Sequence, residues 1–203
     1  MADEEVNTHP IHVNQGSKGR CGASSTVIQN LVVFWVWLDR LLLLLPMIRP
    51  TIPEDTTALI ALADATGLFP PSAKELLHQM LTDDSGGNSD SEHFWITDDD
   101  NGVVGVAYCE PERMTDRTWN LQLLAIHPNH QGQGRGAKLL GYVEQTLTAR
   151  GGRMLLVETS GLPNFERTRT FYAKCGYYYE ARLRDFYAVN DDKVVFRKML
   201  NAD

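Results

Sequence analysis

Between Leu121 and Leu147 the apolar spacing changes from strand-like to helical across a joint with glycine at alternate positions, Gly132, Gly134 and Gly136. The stretch reads "HPNHQGQGRGAKLL" from 127 to 140. Before it, "TWNLQLLAIHP" has the composition of a strand that Pro128 stops. After it, Leu140, Val143 and Leu147 share one face of a predicted helix running to Arg150, where Gly151 and Gly152 end it. Glycine at such a joint lets the backbone come close to a ligand. The free N–H groups of the helix's first turn then point at that ligand with the positive end of the helix dipole behind them. An anion belongs there, most naturally a phosphate. A plain surface turn would also tolerate glycine, but three at alternate positions between a strand and a helix favour the anion site.

The remaining pattern places this joint in one domain. At 203 residues and 43% hydrophobic content the chain suffices for one core. Residues 1–46 read as a leader, disordered or non-native, with an apolar run at 31–45; the domain proper spans 47–203 and starts at Met47. Asp39 and Arg40 interrupt the apolar run, each costing about 2.5 to 3.5 kcal/mol at a bilayer centre, and Pro46 follows, so no membrane span is expected. No cleavage site of a secretory signal follows it.

From Met47 a short strand leads into a helix, with Thr51 and Glu54 as a capping box, Pro53 in its first turn and Gly67 at its end. A second box, Ser72 and Glu75, opens a helix with Leu76, Leu77, Met80 and Leu81 on one stripe. A polar loop over 82–92 follows. "HFWIT" and "VVGVAYCE" then read as strands joined at "DDDNG", whose Asn-Gly pair signals a hairpin. "RMLLVETS" is a buried strand, a helix runs from about Asn164 to Cys175, and strands Tyr177 to Tyr187 and Lys193 to Met199 close the chain. The order is β-α-α-β-β-β-α-β-α-β-β, an α/β fold on a sheet of mixed direction.

Composition narrows the function. Lys plus Arg number 19 against 26 Asp plus Glu, a net charge of -7, which disfavours a nucleic-acid partner. Cys21, Cys109 and Cys175 form no CxxC, and His127 and His130 lack the carboxylate of HExxH, so no disulfide framework and no metal site is expected. A reducing, cytoplasmic setting fits. Gly132-x-Gly134-x-x-Ala137 formally matches a dinucleotide fingerprint, and Glu158 lies at the distance that fingerprint expects. Against it, His127 to Gln131 separate the strand from the first glycine, and the preceding strands are hairpin-linked rather than parallel.

Gln131-x-x-Gly134-x-Gly136, after a strand ending "LLAIHP" and before an amphipathic helix, resembles the acetyl-CoA signature of the GNAT superfamily of N-acetyltransferases. "TRTFYAKCGY", residues 168–177, is similar to a second segment of that family, and the order of elements agrees from Met47 to Leu200. The resemblance implies a GNAT-like mixed sheet and acetyl-CoA as co-substrate. Its diphosphate would sit on Gln131, Gly132, Gln133, Gly134, Arg135, Gly136 and Ala137, with the Arg135 side chain adding charge. Leu124, Ala125 and Ile126 would offer backbone contacts to the rest of the cofactor, the Leu124 N–H meeting the acetyl carbonyl.

Tyr172 matches the family tyrosine that gives a proton to the departing thiolate; a phenol with an ordinary pKa of about 10 holds that proton at neutral pH. Phe165 stands where many members carry an asparagine that touches the cofactor, and Thr168 and Arg169 are the replacements available. No carboxylate lies on the strand before the joint, so the general base stays unassigned, with Glu158 and Glu110 as candidates. Asp185, Tyr187 and the tyrosines at 177–179 would line an amine pocket. The implied activity is acetyl transfer to a primary amine, of a small molecule or of a protein, in a ternary complex. A non-catalytic acyl-CoA-binding module and a dinucleotide enzyme are the alternatives, and a homodimer through sheet edges is compatible.

Overall fold

The computed structural model describes residues 46–67 and 93–200. The leader, the helix expected at 72–81 and the loop at 82–92 lie outside the described residues. Seven strands form one sheet in the order β1-β2-β3-β4-β5-β7-β6. They are β1 (Met47–Pro50), β2 (Phe94–Asp99), β3 (Val103–Pro111), β4 (Thr118–Ile126), β5 (Met154–Ser160), β6 (Tyr178–Ala188) and β7 (Asp191–Met199). Among the described residues only β4 and β5 run parallel; every other neighbouring pair there is antiparallel. That single parallel pair removes the dinucleotide reading, which needs successive parallel units.

The hairpin signal is realised: Asn101 and Gly102 turn β2 into β3 with φ of 57° and 135°. Helix α1 (Thr56–Thr66) ends at Gly67 in the left-handed conformation, φ 64°. The expected capping box is corrected by one position. Asp55, not Glu54, accepts from the Ile52 N–H at 3.0 Å, and the Thr51 hydroxyl is spent on Thr97 at 2.7 Å. Asp55 serves there because Arg49 reaches it from β1 with both guanidinium nitrogens, at 2.7 and 2.9 Å.

Each face of the sheet has its own core. On one, helices α2 (Arg135–Ala149) and α3 (Glu166–Lys174) cover Ile96, Ala107, Cys109, Leu121, Leu155 and Val157, with Leu139, Leu140, Val143 and Leu147 as the buried stripe of α2. On the other, Leu59, Leu62 and Ala63 of α1 pack on Trp95, Val106, Tyr108 and Ala125. The strip of buried leucine and valine on α2 holds its first turn against the end of β4, which positions the site.

Candidate active site

The β4–β5 pair does not stay closed. It is in register only from Thr118–Met154 to Leu121–Val157. The next residue of β4, Gln122, is a bulge, since Tyr108 opposes Leu123 while Cys109 opposes Leu121. Beyond that point β4 and β5 part while each keeps its outer neighbour, β3 and β7. The result is a slot of about 680 Å³ between Leu123 to Ile126 on one wall and Glu158 to Ser160 on the other, floored by Phe165, Thr168 and Tyr172 and flanked by Tyr187.

Backbone direction in the slot follows from one hydrogen bond. The His127 N–H donates to the Val104 carbonyl at 2.8 Å, so Gly105 and Ile126 are a non-hydrogen-bonded pair of β3 and β4. Strand alternation then turns the N–H groups of Ala125 toward β3, and those of Leu124 and Ile126 away from it into the slot. Ala125, buried and committed to β3, is thus a wall residue, and the backbone offer narrows to Leu124 and Ile126. The Ile126 carbonyl is already taken: Gln131 Nε2 donates to it at 2.9 Å.

That side-chain bond fixes the joint. A 3-10 turn, Pro128–His130, fills the five-residue gap noted in the sequence, and the chain then passes through Gly132 and Gly134 with φ of 75° and 79°, where a side chain would be strained. Gly136 lies inside the helix, and its Cα faces the Phe171 ring, which a methyl group there would meet at 3.5 Å. The first helical bond is Lys138 N–H to the Gly134 carbonyl at 3.1 Å. Before it, none of the amides from Gly132 to Ala137 donates a hydrogen bond among the described residues. Six consecutive unspent donors at the positive end of a helix are suited to receive an anion. The groove beside them, about 490 Å³, continues into the slot through Leu124, Ile126, Thr168 and Tyr172.

Arg135 departs from its expected role. Its guanidinium bonds both oxygens of Asp98, at 2.9 and 3.1 Å, and also Asp100, so its charge clamps the joint to the β2–β3 hairpin and its side chain does not line the groove. A cation without an ion pair among the described residues is one the sequence reading missed. Arg167 lines the groove, and a methyl group on Gly132 would stand 3.9 Å from its terminal nitrogen. Its position eight residues after Thr159 carries no motif, so only the fold brings it to the glycines. Arg169, offered as a cofactor contact, is instead spent on the carbonyls of Ser160 and Leu162, at 2.6 and 2.9 Å; Thr168 does line the slot.

Tyr172 stands where slot and groove meet. Its ring packs edge-on against Phe171 and Tyr177. The residue is 5% exposed, and its hydroxyl makes no hydrogen bond among the described residues. Burial pushes its pKa up, with the neighbouring thiols of Cys175 and Cys109 adding to the rise, so the phenol keeps its proton. Of the amine-pocket residues, only Tyr187 borders the slot. Tyr177 is in the core with its hydroxyl on Glu144 at 2.9 Å, Tyr178 and Tyr179 are exposed on β6, and Asp185 accepts from the Asn190 N–H within its own hairpin. Glu158 is paired with Lys193 at 2.7 Å, and Glu110 accepts from Gln122 and Tyr108.

Residues 90–179 match the family model described as an acetyltransferase (GNAT) domain. No curated protein matches the sequence. Among solved structures, the fold is similar to a protein assigned to the GNAT family of acetyltransferases from Desulfovibrio desulfuricans, with 28% identity, TM-score 0.73, covering 77% of this chain and 100% of that one. It is also similar to the aminoglycoside 6'-N-acetyltransferase from Enterococcus faecium, with 18% identity, TM-score 0.63 and coverage of 77% and 98%. A third structure, described as an acetyltransferase from Salmonella typhimurium with its cofactor acetyl-CoA, shows 16% identity, TM-score 0.63 and coverage of 78% and 96%. Residues 90–179 thus match the GNAT acetyltransferase domain, and the fold over 77% of the chain is similar to that of a protein assigned to the same family.

Proposed function

We propose that this domain transfers the acetyl group of acetyl-CoA to a primary amine by direct attack in a ternary complex. The observation that carries it is the run of unspent amides from Gly132 to Ala137 opening into the slot where β4 leaves β5. These amides, with the Arg167 guanidinium, suit the diphosphate; the slot suits the extended arm that follows it, with the Leu124 and Ile126 backbone as its hydrogen-bonding edge. The description of a relative with acetyl-CoA in place supports the same cofactor.

Acetyl-CoA supplies an acetyl group activated as a thioester. The Leu124 N–H polarises its carbonyl, placing a preorganised donor where negative charge grows. The amine nitrogen adds to that carbon, the C–N bond forms as the C–S bond breaks, and the nitrogen gives its extra proton to water in the open cleft. The Tyr172 hydroxyl gives a proton to the leaving sulfur and is reprotonated from solvent. No covalent enzyme intermediate is needed, and Cys109 is unsuited to one, being buried in the core with its thiol pKa raised by that burial.

The test is release of CoA thiol from acetyl-CoA with a panel of primary amines, alongside calorimetric titration of CoA. Transfer with at least one amine supports the proposal. Tight CoA binding without transfer to any amine would favour a non-catalytic acyl-CoA-binding module.

A further inference from the structure

On the face of the sheet opposite α2 and α3 a second cleft, about 580 Å³, opens at the same gap. Gln122 and Glu158 belong to both, so they flank a gateway between the thioester slot and this cleft. Its lining charges nearly cancel. Glu158 is neutralised by Lys193, whose side chain is held over the Phe186 ring. Glu112 and Arg113 offset each other on the exposed rim. Glu110 is left: its carboxylate accepts from Gln122 Nε2 at 2.8 Å and from the Tyr108 hydroxyl at 3.2 Å, both neutral donors, and it has no cationic partner among the described residues.

Beside it is an unmet hydrogen-bonding demand. Asn120 is the cross-strand neighbour of Glu110, so the two project from the same face. It lines the cleft at 3% exposure, and its Oδ1 has no hydrogen-bond partner among the described residues. A buried amide oxygen without a donor is costly, by about 1 to 3 kcal/mol, unless a ligand supplies one. A carboxylate fixed in orientation but not in charge, next to an orphaned acceptor, asks for a group with several N–H donors and a positive charge.

We propose that the cleft holds a second, cationic nitrogen of the acceptor, and that the acceptor is therefore a small diamine-type molecule: one nitrogen, neutral, reaches the thioester through the gateway, while the other stays an ammonium on Glu110 and donates to Asn120. Glu110 is the specificity-determining residue, one hydrogen bond removed from the gateway residue Gln122. The assignment rests on the acetyl-transfer reading for the reaction, but the cleft can be tested without it.

The probes are 1,4-diaminobutane and 1-aminobutane, equal in chain length and different in the second charge. With the full chain and saturating acetyl-CoA, kcat/KM for the diamine is expected to exceed that for the monoamine by about tenfold or more, through KM. Glu110→Gln should erase that gap, and Asp116→Asn, an equal charge change on the exposed β3–β4 connection, should leave both the gap and kcat intact. Equal use of both amines by the wild type, or a gap that survives Glu110→Gln, overturns the proposal. Should neither amine be acetylated, calorimetric titration of the diamine into the CoA-loaded protein decides instead. Binding about tenfold tighter in wild type than in Glu110→Gln upholds the cleft assignment while the transfer reading falls; binding that is absent or equal in the two overturns it.

Discussion

Replacing Arg135 separates two roles that one basic residue beside a glycine loop could play. Its guanidinium bonds Asp98 twice, the two side chains being 14% and 4% exposed. Arg135→Met keeps the stem's volume but leaves the Asp98 carboxylate buried without its cation, a change that costs about 3 to 5 kcal/mol. For a domain of this size each kcal/mol moves the thermal midpoint by about 2 to 4 °C, so a fall of roughly 6 to 20 °C is expected. The double variant Arg135→Met with Asp98→Asn should recover much of it, because no buried charge remains. Arg167→Met should do the reverse: a midpoint within about 2 °C of wild type, since Arg167 has no ion pair among the described residues, and CoA binding weaker by about 10- to 100-fold, the worth of a charge-assisted hydrogen bond to phosphate. Scanning calorimetry and CoA titration of the variants read both quantities. A stable Arg135→Met protein that has lost CoA affinity, paired with an Arg167→Met protein that binds normally, would refute this division of labour.

Tyr172→Phe should bind CoA within about twofold of wild type and lose about 10²- to 10⁴-fold in kcat, the usual scale of a missing proton donor; stopped-flow thiol release measures it. Because burial raises the pKa of Tyr172, and likewise that of Tyr177 beside Glu144, the native state holds two protons that the unfolded chain releases above about pH 10. Stability should thus be flat through neutrality and fall as pH rises past that point, seen as a declining urea midpoint. Asp55 titrates in the opposite sense: burial alone would raise its pKa, but Arg49 and the Ile52 N–H outweigh that and hold it below the ordinary range. Asp55→Asn should destabilise the protein at pH 7, and the gap to the wild type should start to close only as pH falls below about 4, closing once the native carboxylate is itself protonated below its depressed pKa. Gly134→Ala should weaken CoA binding by about fivefold or more, since φ of 79° costs a side chain roughly 1 to 2 kcal/mol even with open space around it.

The glycine joint, the hairpin at Asn101–Gly102 and the α2 stripe were legible because each depends on a local rule: backbone freedom, turn chemistry or helical period. The resemblance to the family singled out Tyr172 and the Leu124 edge, which both line the slot, because each lies inside a contiguous segment. What the sequence left hidden is long-range. Arg135 sits in the signature, yet its side chain is claimed by Asp98 and Asp100 across the sheet, 37 and 35 residues away. Arg167 meets the glycines only because α3 packs against α2, and the Glu110–Asn120 pair exists only through the β3–β4 register. The capping residue shifted from Glu54 to Asp55 because β1 delivered Arg49 to it. Tyrosines 177 to 179 looked alike in sequence, yet Tyr177, between α3 and β6, is buried with its hydroxyl on Glu144, while Tyr178 and Tyr179 on the edge strand β6 are exposed.

The claim on which the rest depends is that the amides from Gly132 to Ala137 bind the diphosphate of the cofactor. Proton–nitrogen correlation spectra of the protein titrated with CoA, and in parallel with pantetheine, which lacks the diphosphate, test it directly. Downfield shifts and slowed hydrogen exchange at those six amides with CoA, absent with pantetheine, are the expected result. Saturation by CoA that leaves the six unmoved while other amides respond would contradict it.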